Sequence, residues 1–159
     1  MRRVAFLTAS LLVGSTFLAS TLFAETAELS VGQTIYVPAY SYVRIGERAH
    51  QFELAVNLCI RNTDTTRAIT ILSVDYHAAN GRILKRYLDK PVELKSLASM
   101  DFYQEPSDIS GGLAPSFIIK WKSVNRVSEP IAEAAMVGDR SGLGVSFMSV
   151  GKVIKDTPD

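Results

Sequence analysis

Residues Phe52–Leu88, FELAVNLCIRNTDTTRAITILSVDYHAANGRILKRYL, decide the fold. Phe52, Leu54, Val56, Leu58 and Ile60 alternate with Glu53, Ala55, Asn57, Cys59 and Arg61. Successive side chains of a strand point to opposite faces, so this spacing builds one apolar face and one mostly polar face. A helix would scatter the same five hydrophobes around its circumference. Asn62-Thr63-Asp64 follows, with side chains that bond their own backbone and favour turns. Ala68–His77 is a second strand, rich in β-branched residues, whose alternation slips at Leu72-Ser73 as at a bulge. Asn80-Gly81 suits a type I′ hairpin turn, since both residues tolerate positive φ, and Ile83–Leu88 returns as the third strand.

Further strands lie on either side. Upstream, Thr34–Val43 (TIYVPAYSYV) is extended but broken by Pro38, which removes a ladder donor and assigns the segment to a sheet edge or a bulge. Glu25–Gln33 reads as a loose lead-in and Ile45–Gln51 as a loop. Downstream, Val92–Leu97 and Met100–Gln104 are short extended stretches, and Glu105–Pro115, with its Pro, Gly and Ser, is a long loop. Ser116–Val124 sets Phe117, Ile119 and Trp121 on one face, which makes Trp121 a core tryptophan. Ile131–Val137 is read as strand rather than short helix because Gly138 follows so soon, and Val145–Ile154 is a last strand interrupted by Gly151. Short strands at regular spacing predict an all-β fold, an antiparallel immunoglobulin-like β-sandwich of about seven to nine strands.

The chain has 159 residues and opens Met1-Arg2-Arg3, followed by an uncharged run, Val4–Phe23, that ends at the small residue Ala24. This is the layout of a secretory signal peptide over residues 1–24, with an uncleaved N-terminal anchor as the competing reading. Residues 25–159 then form a single domain with its core at about 32–154. The expected location is the periplasm or the extracellular space, and the later chain holds no segment suited to a membrane span. The formal net charge is +1, and −1 once Arg2 and Arg3 are removed, which gives no support for nucleic-acid binding. Cys59 is the single cysteine, so an intramolecular disulfide, a thiolate metal cage and CxxC chemistry are all excluded.

Several residues invite a functional assignment. Tyr36, Tyr40 and Tyr42 share a face at period two and offer aromatic contact area with polar tips, suited to a peptide, a glycan or a further β-strand. The loop residues Asp108, Ser110, Gly111 and Gly112 are a second candidate surface. His50, Asp75 and His77 are the only combination suggesting a metal or small-molecule site. Glu129 and Glu133 are a weak match to a paired-carboxylate catalyst, and no acid–base constellation assembles around them. No cofactor-binding motif is present.

Gln33-Thr34-x-Tyr36-Val37-Pro38-x-Tyr40-Ser41, Arg61-Asn62-Thr63-Asp64, Ser73-Val74-Asp75-Tyr76, Leu97-Ala98-Ser99, Ser110-Gly111-Gly112, Phe117-Ile118-x-x-Trp121 and Glu129-Pro130-x-x-Glu133-Ala134-x-Met136 together resemble an uncharacterised family of small exported bacterial proteins, a domain of unknown function. The resemblance covers about Gly32–Ile154 and implies a bacterial exported domain without carrying over any catalytic residue. A looser likeness to immunoglobulin-like and fibronectin-type modules concerns fold alone. The expected protein is a non-catalytic binding or structural interaction module of the bacterial envelope.

Overall fold

The computed structural model describes residues 28–140 and 142–156, so the expected signal segment 1–24 lies outside the described residues. Twelve strands and no helix occur among them: β1 (Leu29–Pro38), β2 (Tyr42–Ile45), β3 (His50–Glu53), β4 (Ala55–Arg61), β5 (Ile69–His77), β6 (Ile83–Arg86), β7 (Val92–Leu94), β8 (Ser99–Gln104), β9 (Ser116–Ser128), β10 (Ile131–Arg140), β11 (Leu143–Val150) and β12 (Lys152–Lys155). The count exceeds the expected seven to nine. The increase comes from β2 and β3, which form across the segment expected as a loop and the ends of its neighbouring strands, and from Gly151, which divides the last strand in two.

All pairings are antiparallel. One sheet runs β12-β1-β9-β5-β6, with β7 also on β5; a second runs β11-β10-β4-β8; β2 and β3 make a separate hairpin. The predicted faces build the core. Val56, Leu58 and Ile60 of β4 and Ala134 and Met136 of β10 meet Ile71, Val74 and Tyr76 of β5 and Phe117, Ile119 and Trp121 of β9 in one buried cluster. Fully burying side chains of this size contributes about 1.5–3 kcal/mol each.

Three expectations are corrected. β1 is not an edge strand, because it pairs with β9 on one side and β12 on the other. Pro38 stands at its last position, where the missing donor matters least. Ile45–Gln51 is not simply a loop: Ile45 pairs with His50, and Gly46 and Ala49 take positive φ to close the hairpin. The Asn80-Gly81 turn is not type I′, since Gly81 (φ 84°) has positive φ and Asn80 does not. Gly81 N–H donates to Ala78 and Ala78 N–H to Arg82, and the register shifts at Tyr76/His77, as in a hairpin closed by a left-handed glycine bulge. The bulge expected at Leu72-Ser73 is present as a register shift between Ile71 and Ser73.

The Asn62-Thr63-Asp64 turn fastens three parts of the fold. The Asn62 side-chain amide lies 2.8, 3.1 and 3.0 Å from the carbonyls of Arg67, Leu94 and Lys95, and its Oδ1 accepts from Asp64 N–H. The Asp64 carboxylate accepts from the backbone N–H groups of Thr66, Arg67 and Ser128. The bond from Thr66 N–H, followed by that from Arg67, holds the Asp64 carboxyl below the ordinary aspartate range. A depressed folded-state pKa contributes stability that is complete above the unfolded-state value and is lost as pH falls through the folded one. The protein is therefore expected to unfold at lower urea concentration as pH drops below about 4. Asp64→Asn should show a shallower loss over the same range, and parallel curves would remove Asp64 from the account.

Candidate interaction surface

The three tyrosines do not share a face. Tyr36 stands on the outer face of the larger sheet, beside Ile118 and Lys152, and is 37% exposed. Tyr40 has left β1, because Ala39 and Ser41 donate to the carbonyls of Pro115 and Leu113, and its ring meets Phe147 edge-on at 5.7 Å. Tyr42 belongs to β2, where it is half-buried opposite Glu53. The period-two pattern breaks at the bend after Pro38, so the shared face never forms.

The Asp108–Gly112 loop is pinned by its own polar groups. Tyr87 OH donates to Gln104 Oε1 at 2.7 Å, the Gln104 amide donates to Asp108, and Asp108 accepts from Ser110 N–H. The bonds from Ser110 keep the Asp108 carboxyl low, while burial pushes the Tyr87 phenol up to about 12. A Cβ at Gly111 would stand 2.7 Å from the Tyr76 hydroxyl, and the Gly111 carbonyl accepts from Ala79 N–H. Gly112 closes the turn at φ 75° and donates to Ile109. These groups hold the loop against β5 and leave Asp108 engaged.

The expected metal ligands are not brought together. His77 Nδ1 lies 3.0 Å from the Gly81 carbonyl, Asp75 faces Arg86 at 3.8 Å, and His50 is exposed on β3 in the separate hairpin. His50 lines a shallow pocket of about 370 Å³ with Ile45, Arg140 and Leu143. Among the described residues no group of three or more His, Cys, Asp or Glu side chains is placed to hold a metal ion. Glu129 accepts from the Gln33 amide and Glu133 pairs with Arg61 at 3.2 Å, so each carboxylate has its own partner.

A surface that sequence reading missed lies on the smaller sheet. The register aligns Met148, Ala135, Asn57 and Tyr103 in one outward row, and Val150, Glu133, Cys59 and Asp101 in the next. Met148 is 60% and Val150 69% exposed, with Ile131, Val137 and Tyr103 exposed on the same face. Burial pushes the half-exposed Cys59 thiol up, so it stays protonated in the middle of this face. β11 is the sheet's outer strand and pairs with β10 alone among the described strands. Its eight residues, LGVSFMSV, include no charge and no proline.

Natural edge strands are guarded by charge, proline, bulges or brevity. Lys152 and Lys155 guard β12, Lys85 and Arg86 guard β6, Asp101 guards β8, and β7 has three residues. β11 alone among the described edges lacks every such device. Its inward residues are held in place: Phe147 meets Tyr40, and the Ser149 hydroxyl donates to the Pro38 carbonyl. The only sequence signal would have been the absence of charge across Leu143–Val150, which has meaning only once the strand is known to be an edge.

The molecule is thus an all-β, antiparallel-sheet protein with an unguarded edge strand and exposed apolar side chains beside it, and no helix among the described residues is long and apolar enough to cross a membrane. The chain belongs to the family described as protein of unknown function DUF3124, whose model matches residues 32–154. No curated protein sequence matches it. A solved structure from Thermotoga maritima, titled "Crystal Structure of Thermotoga maritima 1070", is similar at 12% identity and a TM-score of 0.46, covering 79% of this chain and 97% of that one.

Proposed function

We propose that this protein is a non-catalytic interaction module of the bacterial envelope, an immunoglobulin-like sandwich that takes an extended polypeptide segment onto the free edge of β11. The observation that carries the proposal is the uncharged, proline-free strand Leu143–Val150 at the margin of a four-stranded sheet. A row of unpaired backbone donors and acceptors is a template for one more strand. Exposed Met148 and Val150 supply apolar contacts beside it. Export follows from the expected leader at residues 1–24, and the location from the same segment.

The test is a photo-crosslinking amino acid placed at Ser146, which is exposed on β11, in the bacterium that makes the protein. Irradiation is expected to yield a polypeptide adduct at position 146 and none from a control at Lys122, which lies on the other sheet. No adduct at position 146, or equal adducts at both, would sink the proposal.

A further inference from the structure

We infer that the segment added to β11 is β11 of a second copy, so that two four-stranded sheets join edge to edge, antiparallel, about a twofold axis. This rests on the β11 edge being the protein's binding site and names its occupant. Charge selects it: an isologous contact sets each residue near its own kind, so a charged edge repels itself. The edges β12 and β6 each carry two cations and are barred on that ground, whereas β11 carries none.

The pleat restricts the register. On β11 the odd-numbered Val145, Phe147 and Ser149 are more buried and the even-numbered Gly144, Ser146, Met148 and Val150 exposed. Directly opposed residues must share a face, so the twofold axis falls between one residue and its own copy rather than between two neighbouring positions. Centred on Phe147, the pairing sets Gly144 opposite Val150 and Ser146 opposite Met148. Every outward pair then joins a small side chain to a large one. Gly144 has open space where a Cβ would stand, which leaves room for the valine. The same register merges the exposed rows of Met148 and Val150 from both copies into one apolar seam.

Sedimentation velocity of the purified protein over a range of concentrations tests this, with amide hydrogen exchange across β11. A reversible dimer is expected, with β11 amides exchanging more slowly as concentration rises. Ser146→Lys should weaken the dimer about tenfold or more while leaving the urea midpoint of the monomer unchanged. Adding Met148→Glu should restore it, because each new lysine then faces a glutamate of the other copy. A protein that stays monomeric up to its solubility limit overturns the inference, as does a dimer indifferent to Ser146→Lys. Position-146 adducts to a different polypeptide would refute the second copy and leave the edge itself standing as the binding site. The absence of any adduct would remove both.

Discussion

Asn62→Ala is expected to lower stability by about 3 kcal/mol, read as a fall in the urea midpoint at unchanged slope. Asn62 is 2% exposed, and its one amide serves the carbonyls of Arg67, Leu94 and Lys95 while its oxygen takes the N–H of Asp64. Truncation removes all of these bonds at once, and of the three carbonyls that of Lys95 keeps the N–H of Ala98 at 3.1 Å. Leaving a buried donor or acceptor unsatisfied costs about 1–3 kcal/mol, and several are freed at once. Asn62→Asp separates the two halves of the network. It keeps an acceptor for Asp64 N–H but replaces the donor with a carboxylate beside three carbonyls, so it should be at least as damaging as alanine. An Asn62→Ala protein within about 0.5 kcal/mol of the parent would show that the turn does not fasten the sheets.

Gly151→Ala should cost about 2–3 kcal/mol, the range of a core forced to accept an extra carbon. Gly151 stands where the chain leaves β11 in the smaller sheet and enters β12 in the larger one. Its N–H donates to the Ala132 carbonyl at 2.8 Å. A Cβ there would lie 2.7 Å from Ile35 Cγ2, 2.9 Å from the Ala132 oxygen and 3.0 Å from Val37 Cγ2. The Ala132 oxygen is backbone and cannot yield without moving β10, and the two side chains belong to the core. Gly144→Ala, in the same β11 but with open space at the Cβ, is the control and should stay within about 0.5 kcal/mol. Equal effects of the two substitutions would show that close approach is not what Gly151 provides.

Both residues stood within stretches whose local character was legible. Asn62 was readable as a turn former, but the partners that make it costly to remove come from Leu94 and Lys95, about thirty residues on. Gly151 was readable as an interruption, yet nothing in Val145–Ile154 says that the interruption carries the chain from one sheet to another. Asp108 and Ser110 were readable as a polar loop, but not as groups engaged with Gln104 and, through it, Tyr87.

The candidate site shows the same division. Pro38, which interrupts the stretch that carries Tyr36 and Tyr40, implies a sheet edge or a bulge there. β1 lies inside its sheet because β12, more than a hundred residues later, pairs with it, whereas β11 is one of the strands that do end a sheet.

The sequence by itself determined the longer strands and the buried faces they carry, because alternation at period two is a local property that burial enforces. Phe52–Ile60 announces its apolar face without reference to any other segment. Only the tertiary structure decided which strands are interior and which are edges, since each edge depends on a partner distant in sequence, and hydrogen-bond pairing leaves no periodic mark on side chains. That is why Pro38 suggests an edge in a strand, β1, that lies inside its sheet, while nothing in Leu143–Val150 marks that strand as an edge.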